Sequence, residues 1–360
     1  MRRNAERQRH ELDLLCRSAA GLAPVAPAIC RLVRQMVGAD ACGLFWFDAE
    51  GALEGMFHEY SNPQIQDLFL NEYERLFVGP DEINVTSIAR GGPRWGQLLA
   101  PPDSYYRSNT FNLLVRASGH HYSCDLRVDV NGRARAVLLL FRAWPHGFNP
   151  DEVAVLSRVE PYLRRAITHC QLPDERARVV RVGHALLDEA GQRLLMVCPE
   201  GESLLRACTL VGQDIRLAGP MRVAPRFLRD LCMRWAHSDQ PLQRMVLQIP
   251  DGLLHIAARR LQPPGMSKKA RAQVLVTLEL AVPWRLQAVQ RVLALPLSPL
   301  QREIALYAGE GGLRRECEQA VGVSDAALKK HLKAIYQAAG VASWDELART
   351  VGSAGRTGLA

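Results

Sequence analysis

The pattern that most restricts the fold is the alternation of helix starts and glycine stops in residues 297–347. At the start of this stretch, Ser298 can cap a helix, Pro299 suits the first helical position, and Gln301 can bond back to the capping backbone. A second helix is expected from about residue 313 to Gly322, since glycine adopts the left-handed cap conformation without strain. Ser324 then caps a third helix. Residues 297–347 therefore predict a tight helical unit.

The third helix has two different faces. Its apolar residues recur at helical spacing and should point inward: Leu328, Leu332, Ile335 and Ala339. The opposite side carries Lys329, Lys330, Lys333 and Gln337. Two helices joined by a short turn, the second with cations outward, form the helix-turn-helix arrangement, whose second helix fits the major groove of DNA. An ordinary solvated face has the same pattern, so spacing alone leaves both interpretations open.

Residues 297–347 also resemble the C-terminal DNA-binding domain of the LuxR/GerE family of bacterial transcription regulators. The similarity runs without a gap through Leu297, Ser298, Pro299, Arg302, Glu303, Glu310, Gly311, Arg315, Glu316, Gly322, Val323, Ser324, Lys329, His331, Ile335, Tyr336, Gly340, Val341 and Ser343. It implies an all-α four-helix bundle whose last helix starts near Ser343. It also implies base contacts by Lys329, Lys330 and Lys333, with His331 near the DNA backbone or buttressing the helix. Ser324 and Gln337 complete the predicted DNA-binding set.

Several positions depart from the family pattern. Glu318 replaces a small alanine between the two helices, Ala327 replaces a threonine whose hydroxyl could bind phosphate, and Trp344 stands where arginine is common. Leu300 and Gln301 replace the usual Arg-Glu. Residues 297–350 contain seven Lys/Arg and seven Asp/Glu, so attraction to DNA must come from the arrangement of the charges. An alternative therefore stays open: a protein-interaction regulator whose degenerate helix-turn-helix binds another protein, such as a polymerase subunit.

The first part of the chain predicts an α+β domain over residues 10–170. Residues 41–47 read as a buried strand, and residues 124–130 alternate between apolar and polar. Asn131-Gly132 is a typical hairpin turn, and the apolar run at residues 136–141 should form the more central strand. Helix, strand, irregular segment, hairpin and closing helix together resemble the layout of a GAF-type sensor domain.

Two helices of this region leave questions open. The first, around Leu12 and Leu22, lies outside any obvious core; it could pair with a partner chain or pack on its own domain. The closing helix contains Pro161, which should kink or divide it.

A second α+β domain is expected over residues 181–283, after a polar linker at residues 171–180. Its order is a strand pair, short helices and then three strands, which resembles a PAS-type domain. Residues 284–296 predict a linker helix that leads into the C-terminal residues 297–350.

Composition and motifs exclude several classes of protein. No apolar run reaches the length that spans a bilayer, and the basic start MRRNAERQRH has no secretion-signal core, so a cytoplasmic protein is expected. The net charge of +8 fits a nucleic-acid partner but serves solubility equally well. His120, His121 and Cys124 are a weak metal pattern, because no second ligand cluster accompanies them. Phosphate loops, nucleophile elbows and receiver-domain aspartates are lacking, so neither an enzyme nor a cofactor is expected.

The combined prediction is a transcription regulator with two sensor-type domains and a helix-turn-helix. Its expected partner is double-stranded DNA, read by a homodimer because a short helical reader usually needs two half-sites. RNA polymerase and a small-molecule effector are further candidate partners. Aromatic residues that could line an effector pocket are Trp46, Trp95, Tyr105, Tyr106 and Trp144. A signal in the N-terminal domains would then shift the dimer geometry.

Overall fold

The computed structural model describes residues 2–60, 62–171, 177–237, 242–262 and 272–352. We call the first part the N-terminal unit; its elements are α1 (Arg2–Arg17), α2 (Leu22–Val37), β1 (Ala41–Phe47), β2 (Leu53–His58), α3 (Pro63–Leu76), α4 (Val85–Arg90), β3 (Tyr122–Val130), β4 (Arg133–Arg142) and α5 (Pro150–Thr168). The middle unit consists of β5 (Arg178–Leu187), β6 (Leu194–Val197), α6 (Pro199–Ala207), α7 (Arg226–Met233), β7 (Leu242–Ile249), β8 (Gly252–Leu261) and β9 (Gln273–Val282). After the connecting helix α8 (Trp284–Ala294), the C-terminal unit consists of α9 (Pro299–Gly309), α10 (Arg314–Val321), α11 (Asp325–Ala339) and α12 (Trp344–Gly352). The described chain is thus a mixed α/β structure with a helical end.

The sheet of the N-terminal unit is antiparallel, in the order β2-β1-β4-β3. The apolar strand β4 is central, as its composition predicts. Asn131 and Gly132 have φ values of 52° and 76°, which confirms the tight hairpin turn. Helices α1, α2 and α5 pack on one face, whereas α3 and α4 cover the other. Asp125, on the polar side of β3, is fully buried, and its carboxylate accepts the backbone N–H of Leu98 at 2.7 Å.

The first helix packs on its own chain. Leu12 and Leu15 of α1 are 0% and 3% exposed, because they lie against helices of the same molecule. The interpretation that this helix offers its apolar face to a partner is therefore wrong. Leu286 of α8 is likewise buried, with 1% of its surface exposed. Helix α5 runs through Pro161 as one element, so the proline does not divide it. Val159 and Leu163, on either side of Pro161, are both fully buried and hold the helix on the sheet.

The middle unit has the predicted order of a strand pair, helices and three strands. Its sheet is antiparallel, in the order β6-β5-β9-β8-β7. The predicted linker at residues 171–180 is too long, because residues 178–180 already belong to β5; residues 172–176 lie outside the described residues. The segment after α6 contacts the N-terminal unit: the carboxylate of Asp67 accepts the backbone N–H groups of Leu217 and Ala218 at 2.6 and 3.1 Å.

Buried side chains of the described residues form three clusters. One fills the middle unit, and a second lies between the first sheet and α3. The third is shared: it runs from the other face of the first sheet through α1 and α8 into the C-terminal unit. The N-terminal and C-terminal units therefore have a common core. No helix in the described ranges is both long and apolar enough to cross a membrane.

Candidate DNA-binding surface and ligand pocket

The C-terminal unit begins with the predicted capping box. The Ser298 hydroxyl accepts the Gln301 N–H, and the Gln301 side chain accepts the Ser298 N–H at 2.9 Å. Helix α10 ends at Gly322, which has the left-handed φ of 69°. Only residues 322–324 separate α10 from α11, and the Ser324 hydroxyl accepts the Ala327 N–H at 3.3 Å. The two helices are thus joined by a three-residue turn with both ends capped.

Helix α11 buries one side and exposes the other. Leu328, Leu332 and Ile335 are at most 3% exposed, because they pack into the shared core. Every lysine of the helix lies on the exposed side. Neither Lys330 nor Lys333 pairs with a described residue, whereas the Lys329 ammonium lies 2.6 Å from the Asp325 carboxylate. This ion pair lowers the pKa of Asp325.

The other residues of the predicted set have different surroundings. Gln337 is exposed, two turns after Lys330, on the same side of α11. His331 is half-buried, between the lysines and the core. Ser324 is exposed; its oxygen is engaged as a cap, and its O–H makes no hydrogen bond with a described residue.

The off-pattern positions fit the helical fold. Glu318 is half-buried, and its carbonyl accepts the Gly322 N–H that closes α10. Ala327 supplies the N–H that Ser324 caps, which requires no hydroxyl of its own. Trp344 donates its indole N–H to the Gly312 carbonyl at 3.0 Å and so joins α12 to the turn between α9 and α10.

Replacing Trp344 by phenylalanine should destabilise the C-terminal unit by about 1 kcal/mol, because an aromatic ring remains there but the hydrogen bond to Gly312 is lost. Chemical denaturation of the full chain would measure the change. Trp144→Phe is a suitable control, since that indole is 70% exposed and lies outside the three buried clusters. Equal stability of the two variants would contradict a role for the Trp344–Gly312 bond.

A pocket lies between the first sheet and the helices α3 and α4. Its cavity volume is about 60 Å³. Its lining is apolar and aromatic with a few neutral polar groups: Phe45, Met56, His58, Ile65, Gln66, Phe69, Ile83, Asn84, Val85, Leu98, Tyr105, Thr110, Leu114, Val115, Ser118, His120, Ser123, Leu139 and Phe141. None of these is an aspartate, glutamate, lysine or arginine. Such a lining favours an uncharged, largely apolar occupant.

Two histidines, His58 and His120, are among the polar residues that line the pocket. The His58 Nδ1 lies 2.7 Å from the Glu59 carbonyl, which can only accept, so Nδ1 carries the proton and Nε2 keeps its lone pair. No described residue hydrogen-bonds that Nε2. The His120 Nδ1 is buried without a hydrogen-bond partner among the described residues. Burial lowers the pKa of both rings, and that of His58 to about 4, so both are neutral at pH 7.

The lowered pKa of His58 predicts a loss of stability in mild acid. The unfolded chain takes up this proton below about pH 6.5, whereas the folded chain resists it until about pH 4. The folded state should therefore lose up to about 3 kcal/mol as the pH falls through this window. Urea unfolding at pH 7 and at pH 4.5 would measure it, with His58→Gln as the comparison. An equal loss in wild type and His58→Gln would contradict the assignment.

Several residues that the sequence suggested for a ligand or metal site lie outside this pocket. Of the five aromatic residues that could line an effector pocket, only Tyr105 lines this one; Trp46 belongs to the shared core, and Trp144 is largely exposed. Cys124, in the weak metal pattern, is fully buried, and burial raises its pKa to about 12. No group of three potential metal ligands occurs in the part of the chain that the structure describes.

No protein-family model and no curated protein matches the chain. Solved structures that resemble it include SdiA in complex with octanoyl-rac-glycerol, at 10% identity and a TM-score of 0.28, over 90% of this chain and 86% of that chain. Escherichia coli SdiA in the space group P6522 is 10% identical, with a TM-score of 0.29, over 91% of this chain and 87% of that chain. VqmA in the Vibrio cholera VqmA–ligand–DNA complex is 11% identical, with a TM-score of 0.23, over 50% of this chain and 81% of that chain. With TM-scores below 0.5, these likenesses assign neither a fold nor a function to the chain.

Proposed function

We propose that the chain is a DNA-binding transcription regulator of the LuxR type, with α10 and α11 as its helix-turn-helix. The observation that carries the proposal is the position of Lys330 and Lys333, exposed and unpaired with any described residue, on a helix whose opposite side is fixed in a core. A cationic face on a rigid helix suits the major groove and its phosphates. Lys329, His331, Ser324 and Gln337 complete the contact surface.

The domains before the helix-turn-helix would control its binding to DNA. We assign a GAF-like sensor domain to residues 10–170, a PAS-like domain to residues 181–283, a linker helix to residues 284–296 and the DNA reader to residues 297–350. The regulator acts as a homodimer in the cytoplasm, where two α11 helices read two half-sites. The apolar faces of α1 and α8 are internal, so the dimer interface lies on other surfaces.

The test is binding of the full chain to a labelled duplex of random sequence, measured by fluorescence anisotropy at several salt concentrations. Contacts with phosphates release counterions, so the logarithm of the affinity should fall linearly with the logarithm of the salt concentration. A chain with no salt-dependent affinity for duplex DNA would contradict the proposal.

A small-molecule effector is the proposed signal, and the pocket defines its class. It would be an uncharged, mainly apolar molecule with one O–H or N–H group that donates to His58 Nε2. Native mass spectrometry of the purified full chain should show an added mass that denaturation releases, with lower occupancy in His58→Leu. Purified chain that shows no added mass, before or after incubation with a library of such compounds, would contradict an effector of this class.

A second candidate function is a protein-interaction regulator, whose helix-turn-helix binds a protein such as RNA polymerase. One observation favours it: Asp325 pairs with Lys329 at the start of the proposed reading helix and reduces its positive charge. Binding to purified RNA polymerase, combined with no salt-dependent affinity for duplex DNA, would select this function.

A further inference from the structure

The helix α1 makes an unusual contact with the C-terminal unit. Arg302 of α9 is completely buried, and its Nη1 donates to the Glu11 carboxylate of α1 at 3.1 Å. The Nε and Nη2 of Arg302 have no hydrogen-bond partner among the described residues. Glu11 is therefore the carboxylate that balances a buried charge, although the two residues stand 291 positions apart in the chain.

A second chain of ion pairs runs beside the first. Arg17 of α1 binds Glu303 of α9 and also Asp13, whose Oδ2 lies 3.0 Å from Arg17 Nε. Asp13 in turn accepts from Arg165 of α5 at 2.6 Å. These charges link α9 through α1 to the helix that closes the N-terminal unit.

The contact leaves the proposed reading surface open. Lys330 and Lys333 are exposed on α11, whereas Arg302 and Glu303 lie on α9. The contact with α1 therefore does not cover the side of α11 that would face DNA.

We propose that α1 is an orientation clamp, in which the Glu11–Arg302 pair fixes the direction of α11 relative to the sensor domain. The inference rests on the proposed function. In a DNA-binding dimer, the direction of each α11 helix matters because the two helices must match two half-sites. Glu11 is a positioning residue that acts on DNA binding through α9. A pair of opposite charges serves this purpose well, because a buried charge that loses its partner becomes strongly unfavourable. The clamp is therefore either closed with both charges paired or open with Arg302 in water.

The test uses the full chain and Glu11→Gln, with Arg7→Gln as the matched control. Arg7 contacts the same carboxylate at 3.1 Å, but its side chain is 57% exposed. Glu11→Gln should speed amide hydrogen exchange in α1 and in the first turns of α9 by about tenfold or more, with little change in α3. Small-angle X-ray scattering should show a larger radius of gyration as the C-terminal unit detaches. Arg7→Gln should leave both measurements at their wild-type values.

A double variant, Glu11→Leu with Arg302→Met, shows whether the unpaired charge of Arg302 causes the effect of Glu11→Gln. Apolar residues of similar size can replace a buried ion pair without loss, so this variant should dock as wild type does. Glu11→Gln with wild-type exchange and radius would overturn the clamp. Affinity for the random-sequence duplex is measured separately. A wild-type chain that does not bind DNA would overturn the proposed function, whereas the hydrogen-exchange and scattering results test the clamp.

Discussion

Replacing Lys330 and Lys333 together by alanine should lower the affinity of the full chain for duplex DNA by about a hundredfold. Each side chain is exposed, unpaired with any described residue and held by a helix whose other side is buried. A lysine contact with a base edge or phosphate is worth about 1–3 kcal/mol, so the pair should remove about 3 kcal/mol. The slope of log affinity against log salt should fall by about 2. Anisotropy titrations of the wild type and the variant measure both quantities.

The control for this experiment is Arg349→Ala in α12, which removes an exposed positive charge outside α11. It should change the affinity by less than about threefold, because long-range charge effects are screened by salt. Asp325→Asn is informative in the opposite direction: it frees Lys329 and should strengthen binding. Equal losses in Arg349→Ala and in the double lysine variant would contradict α11 as the reading helix.

Gly183→Ala should destabilise the middle unit by about 3 kcal/mol. A Cβ at this position would lie 2.4 Å from the Cα and the backbone N of Gly201, because α6 packs directly on β5. Gly201 also has no room for a side chain, since a Cβ on it would lie 2.6 Å from the His184 carbonyl oxygen. Neither contact involves a flexible side-chain end, so the helix must move off the strand, and overpacking of this kind costs about 1–3 kcal/mol or more.

Urea denaturation, with hydrogen exchange of β5 and α6, would measure this change. Gly91→Ala is the matched control: its Cβ meets no heavy atom within 4 Å, and its φ of 168° is extended backbone that any residue adopts. The control should stay within about 0.5 kcal/mol of wild type. A Gly183→Ala protein as stable as Gly91→Ala would refute the close packing of α6 on β5.

Local structure could be predicted where one short-range rule dominates. The Ser298 capping box, the Asn131-Gly132 turn and the strand Gln273–Val282 depend on neighbouring residues or on simple periodicity, and the structure contains all three. The inward stripe of α11 follows the same rule: Leu328, Leu332 and Ile335 are buried.

Long-range relations could not be predicted in this way. His58 ends a short strand and has no sequence signal of a pocket residue, because the pocket exists only once α3 has folded over the sheet. Arg302 looks like an ordinary helix-surface arginine, and its burial depends on α1, at the other end of the chain. The face of β3 that carries Asp125 is polar in sequence, and Leu98, whose backbone N–H binds the Asp125 carboxylate, lies 27 positions away in the chain.

The shared core has a consequence for the order in which the chain is made. Glu11 and Arg302 are 291 residues apart, so a ribosome that adds about 5–20 residues per second needs about 15–60 seconds to travel from one to the other. During that time α1 has left the ribosome, but the surface it presents to α9 has no counterpart. The sheet and α5 of the N-terminal unit can form in this time, whereas the side of α1 that carries Glu11 and Arg17 stays open to solvent or to a chaperone. Newly made chains should therefore complete this unit only after the last helices have been synthesised.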